Sequence, residues 1–150
     1  MYKRQDFHAS NIMMTKKRLS LIDSQDAIIG NPLYDVASLI DDVRIKMSKN
    51  LQDNLFKYYI KKSKLKTKDQ SYFKNDFDIL SVQRNLKILG IFVRLYMRDG
   101  KSEYIRHLPR VWRLLKQNLN HDSLYPLKLW FEEYLPEPHR KKNNFRFGKN

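Results

Sequence analysis

Between Phe77 and Met97 the residues Ile79, Val82, Leu86, Leu89, Val93 and Tyr96 step by three and four in alternation, and Ile88, Ile91 and Phe92 widen the stripe. That spacing lines apolar side chains along one face of an α-helix, so the chain must assemble its core around one long central helix. Asp99 and Gly100 close it, Gly100 being suited to a left-handed stop. With 150 residues, 41% of them hydrophobic, there is apolar material for one core, and one domain is expected.

Other helices follow by the same spacing. Leu33, Val36, Leu39, Ile40, Val43 and Met47 predict a helix over about 33–49, opened by Pro32, with Asp41, Asp42, Arg44 and Lys46 facing outward. Leu51, Leu55, Phe56 and Tyr59 mark the buried side of a second, over about 51–62, and a Lys-rich surface linker comes after it. Residues 102–119 read as a helix that Pro109 kinks or breaks, and 126–135 as a last one between Pro126 and Pro136. Gly90, in mid-helix, is expected to admit a close neighbour. Trp112, Trp130 and Met97 are expected in core packing, and Arg84 and Asn85 in a solvated or helix-to-helix role. Ahead of these helices, 11–14 (NIMM) and 19–22 (LSLI) flank a polar Thr15–Arg18 connector and predict a short hairpin. The fold class is α+β, mostly α.

Composition narrows the function. Zero Cys excludes a disulfide scaffold and thiolate metal sites and favours a reducing, cytoplasmic setting. No apolar run reaches the roughly 20 residues of a membrane span, so no membrane is expected. The four His residues show no metal-ligand spacing, which argues against a zinc enzyme. A net charge of +14 suits an anionic partner. The positive charge concentrates in Lys57–Lys68 and in the tail, where Arg140, Lys141, Lys142, Arg146 and Lys149 make 137–150 a basic segment expected to be disordered. The Lys57–Lys68 run, beside Tyr58 and Tyr59, supports an alternative reading as a basic helical nucleic-acid-binding protein without catalysis. No recognised binding motif accompanies that run, so nucleic acid is the weaker expectation.

The segment DFHASNIMM, residues 6–14, places Asp6 and Asn11 with four residues between them, and the hairpin then ends at Ile22 and Asp23. Phosphoryl transfer needs a carboxylate to orient or deprotonate the attacking hydroxyl, and oxygen ligands for Mg²⁺. Asp6 suits the first task. Asn11 and Asp23 suit the second, since a tight hairpin folds both oxygens toward one metal.

These residues, with LSLIDSQDAIIGNPLYDVASL and the stretch QRNLKILGIFVRLYMRDGKSEYIRHLPRVW at 83–112, resemble the aminoglycoside phosphotransferase and choline kinase-like family. Within it the chain is most similar to bacterial kinases that phosphorylate the anomeric hydroxyl of N-acetylmuramate and N-acetylglucosamine in cell-wall recycling. The resemblance covers most of 4–135 and implies a protein-kinase-like C-lobe over 1–136, a short catalytic β-hairpin followed by a helical bundle. Its parts would be a catalytic loop at 4–14, a metal-binding loop at 22–31 and a helical part at 33–135. It implies Asp6 as catalytic base and Asn11 and Asp23 as metal ligands. His8 and Asp35 would stand in support, His8 by packing and hydrogen bonding and Asp35 by accepting from helix-opening amides, and Asp26 would either back the metal ligands or be simply solvated. ATP and Mg²⁺ are the implied cofactors and a small sugar the acceptor.

Two departures qualify the resemblance. Arg4 and Gln5 stand where the family carries His-Arg or His-Gly before the catalytic Asp. The four glycines, Gly30, Gly90, Gly100 and Gly148, are too far apart to form a phosphate-covering loop. The nucleotide lobe that precedes the catalytic loop in such kinases is therefore expected to be missing from this chain, as though the reading frame began inside a fold. Two outcomes follow: a catalytic half completed by a separate nucleotide-binding lobe polypeptide, or a truncated remnant that is inactive alone.

Overall fold

The computed structural model describes residues 2–3, 7–16, 18–23, 28–63 and 70–137. Among the described residues the protein is mostly helical, with two small antiparallel pairs of strands: β1 (Tyr2–Lys3) with β4 (Ile28–Ile29), and β2 (Ile12–Met14) with β3 (Leu19–Leu21). The β2–β3 pair is the expected hairpin, with Ile12 opposite Leu21 and Met14 opposite Leu19. Thr15 closes its turn, donating its amide to the Arg18 carbonyl at 3.0 Å and its hydroxyl to the same oxygen at 2.7 Å. The β1–β4 pair was not foreseen. Two-residue strands give no alternation to read.

Contacts divide the chain into two units, Met1–Arg84 and Asn85–Asn150, where composition alone predicts one domain. In the first unit α1 (Leu33–Ile40) puts Leu33, Val36, Ala37 and Ile40 into the apolar core along one face and buries Tyr34 and Ser38 beside them. Asn31 starts it: its Oδ1 accepts the Leu33 amide at 3.0 Å, and its Nδ2 donates to Asp76 at 2.6 Å. The helix is half the expected length. It stops at Ile40, whose carbonyl accepts from Gln52 Nε2 at 3.1 Å, and the chain leaves the helical path. Asp41 and Asp42, expected outside, are 5% and 1% exposed because the turn after Ile40 swings them inward, whereas Arg44 and Lys46 do face solvent.

Helix α2 (Lys49–Lys62) begins two residues earlier than its apolar pattern, at a Ser48 cap that accepts the Leu51 amide at 3.3 Å. Leu55, Phe56, Tyr59 and Ile60 pack on the α1 core, while Leu51 is exposed. The long helix α3 (Gln70–Asp99) extends seven residues ahead of the predicted Phe77, because Phe73 and Phe77, one turn apart, join the same core. Phe77 meets Phe56 edge to face at 5.0 Å. Ile79, counted on the buried stripe, is exposed. Gly100 ends α3 at φ +66°, and its amide donates to the Tyr96 carbonyl.

In the second unit a 3₁₀ segment, Ser102–His107, precedes α4 (Leu108–Asn118), which carries Pro109 in its first turn. The proline thus breaks the element, as its missing N–H and fixed φ require. Leu108, Val111, Leu114 and Leu115 are all buried to within 2% exposure, each worth about 1.5–3 kcal/mol in removal from water. Helix α5 (Tyr125–Tyr134) sets Phe131 edge-on to Trp112 at 5.6 Å. Trp130 and Met97, expected in the core, are 48% and 65% exposed. Gly90 was expected to admit a neighbour, but a Cβ there would meet nothing within 4 Å. The tail from 138, the Lys64–Asp69 linker, Arg4, Gln5, Asp6 and Asp26 lie outside the described residues.

Candidate functional site

The hairpin sets the site. A single 3₁₀ turn, Ala9–Asn11, leads into β2, with the Asn11 amide donating to the His8 carbonyl at 2.9 Å. Across the hairpin the Ile22 amide donates to the Asn11 carbonyl at 3.0 Å, one step beyond the Ile12–Leu21 pair. Asn11 and Asp23 therefore stand at the same end of the hairpin, adjacent positions on facing strands. Asp23 is exposed and has φ +52°, the single non-glycine with positive φ among the described residues. Asp adopts this left-handed conformation more readily than most side chains.

The remaining candidates lie around this end. His8 is half-buried at the start of the 3₁₀ turn. Asp35 is half-buried in the first turn of α1, and the capping bond to the Leu33 amide comes from Asn31, a role not read from the sequence. Asp35 does reach another group: burial, and then the Asp35 charge, push the Tyr59 phenol above its ordinary range.

Beneath the turn lies a buried polar cluster that periodicity did not reveal. Asp42 Oδ2 accepts the Ala9 amide at 3.3 Å, and its Oδ1 accepts the Arg44 amide at 3.0 Å and Arg44 Nε at 3.2 Å. Asp41 accepts from the Ser81 hydroxyl and, at 3.2 Å, from Gln52 Nε2. Arg84, 6% exposed, donates to the Asp41 carbonyl at 3.5 Å, so of its two expected roles, solvated or helix-to-helix, it takes the second and ties α3 to the end of α1. Burial holds the Arg84 guanidinium below its usual range, and the charge of Asp42 opposes that shift. Two carboxylates thus share the cluster with two guanidiniums, which is what lets the charges stay inside. The sequence signal available was the adjacent pair Asp41–Asp42 inside an otherwise apolar run.

Asn11 and Asp23 are oxygen donors of the kind a hard divalent cation takes. Among the described residues no group of three or more His, Asp or Glu could hold a metal ion. A two-oxygen protein site still fits Mg²⁺, which keeps much of its coordination for water and substrate phosphates.

Residues 5–69, spanning this turn, the hairpin and the Asp41, Asp42 and Arg44 part of the buried cluster, match the phosphotransferase enzyme family. These residues belong to that family. The chain is 32% identical over 143 residues to the N-acetylmuramate/N-acetylglucosamine kinase of Caulobacter vibrioides, covering 91% of this chain and 39% of that protein. It is 35% identical over 122 residues to the kinase of the same name from Neisseria meningitidis serogroup B, covering 77% of this chain and 36% of the relative. The Pseudomonas aeruginosa kinase of that name is 31% identical over 119 residues. The chain thus spans less than two-fifths of the length of these relatives. No helix among the described residues is long and apolar enough to cross a membrane.

Proposed function

We propose that this phosphotransferase-family chain supplies the acceptor-activating and cation-holding half, a kinase-like C-lobe, of an ATP-dependent sugar kinase. The observation that carries the reading is the Ile22–Asn11 hydrogen bond, which brings Asn11 and Asp23 to one end of the hairpin. The relatives' names point to an N-acetylated amino sugar as acceptor. Asp6 orients the acceptor hydroxyl and receives its proton. The hydroxyl oxygen bonds to the γ-phosphorus as the bond from that phosphorus to the β–γ bridging oxygen breaks, and ADP leaves. Mg²⁺, when bound, neutralises charge on the phosphoryl oxygens, and Asn11 and Asp23 are the residues that would hold it. The four scattered glycines leave the nucleotide phosphates to be cradled by residues other than these, so turnover requires a nucleotide-binding lobe.

The test is complementation. The chain is mixed with the part of the Caulobacter kinase that it does not cover, and N-acetylglucosamine or N-acetylmuramate is supplied with ATP and Mg²⁺. Sugar phosphate should form only in the mixture, read by ³¹P NMR and ADP release. A stable complex of the two polypeptides that turns over neither sugar would sink the reading.

A further inference from the structure

We propose that Asp42 is a positioning residue for phosphoryl transfer: its buried carboxylate fixes the turn that presents Asn11. The inference rests on the phosphotransferase reading above. Asp42 is 1% exposed, and its two oxygens divide their work. Oδ2 takes the Ala9 amide at 3.3 Å, while Oδ1 takes the amide and Nε of Arg44 at 3.0 and 3.2 Å.

Both oxygens face N–H donors. A carboxylate alone among side chains of this size presents acceptors on both sides, whereas an amide would turn its own NH₂ toward one of those donors. Ala9 is the first residue of the 3₁₀ turn that ends at Asn11. From Asp42 the chain is then pinned at successive points: the Ala9 amide, the Asn11 amide on His8, and the Asn11 carbonyl under Ile22. Ala9 lies outside the apolar core of Leu33, Val36, Ala37, Ile40, Phe73 and Phe77. Losing its anchor therefore loosens the turn and leaves the core in place.

Two variants separate placement from stability. Ala9→Pro removes the N–H while keeping Asp42 paired with Arg44, and proline suits a first helical position after an extended residue such as His8, whose ψ is 165°. Asp42→Asn keeps the shape and removes one acceptor. In the complemented kinase, each should lower kcat about tenfold with the sugar KM unchanged, as a misplaced cation-holding group does. The Mg²⁺ concentration for half-maximal rate should rise in both, and the double variant should be no slower than the worse single one. Should Asp42→Asn fail to fold, Ala9→Pro decides alone. An active wild type whose kcat and Mg²⁺ requirement are untouched by Ala9→Pro overturns the positioning role only, as do multiplicative effects in the double variant. Absence of turnover in the wild-type complex overturns the phosphotransferase reading itself.

Discussion

The Ile22 amide lies 3.0 Å from the carbonyl oxygen of Asn11, and this one backbone bond carries the geometry of the candidate site. It extends the β2–β3 ladder by one residue beyond Ile12 and Leu21, so the chain on either side of the hairpin is fixed where Asn11 and Asp23 stand. Asp23 then departs from the strand with φ +52°.

That departure makes Asp23→Gly informative. Glycine removes the steric penalty of a left-handed residue, about 1–2 kcal/mol, so thermal stability should be held or rise. The carboxylate goes with it, and ATP-dependent sugar phosphorylation by the complemented kinase should fall by at least about a hundredfold. Calorimetry and the coupled assay on one preparation check both halves.

At Gly90 an added methyl meets nothing within 4 Å, and the residue sits deep inside α3. Gly90→Ala should therefore stabilise the chain by about 1 kcal/mol from helix propensity alone. A melting temperature raised by about 2–4 °C is the expected reading.

Arg84 is the buried cation that faces Asp41 and Asp42. Arg84→Leu would keep the volume roughly filled and leave those carboxylates with Arg44, itself partly exposed, as their neighbouring guanidinium. A loss of about 3 kcal/mol is expected, seen as a lower urea midpoint.

At the end of α3 the Arg98 guanidinium grips Asp99 through bonds of 2.6 and 2.9 Å, and that hydrogen bonding holds the Asp99 carboxyl below its usual range. A depressed carboxyl contributes stability above its unfolded pKa of about 4, and loses that contribution as pH falls through the lower folded value. Arg98→Gln should return the Asp99 titration, followed by carbon NMR, to its ordinary range and flatten stability against pH in the acid region.

Much of this arrangement was legible in the sequence where one face of an element is apolar. The hairpin, α2, α4 with its proline, and the Gly100 stop follow from spacing and turn chemistry that act within a few residues. The end of α1 was not legible, because Val43 and Met47 continue the helical spacing past Ile40 while the backbone does not. What breaks it is remote: Gln52 takes the Ile40 carbonyl, and Ser81, forty positions away, bonds Asp41. Polar partners at such separations leave no periodic trace, so two carboxylates that looked solvated turned out to hold the interior. Of the motif Asp6, Asn11 and Asp23, the sequence spacing anticipated the placement of Asn11 and Asp23 at one end of the hairpin, while Asp6 lies outside the described residues.

The open space at Gly90 has a practical use as well. The native sequence offers no sulfhydryl, so Gly90→Cys would create a single attachment point for a fluorophore or spin label at an exposed position of α3. A reporter there would crowd no neighbour among the described residues, and its anisotropy would register a second polypeptide joining this one without a single residue of the hairpin having been altered.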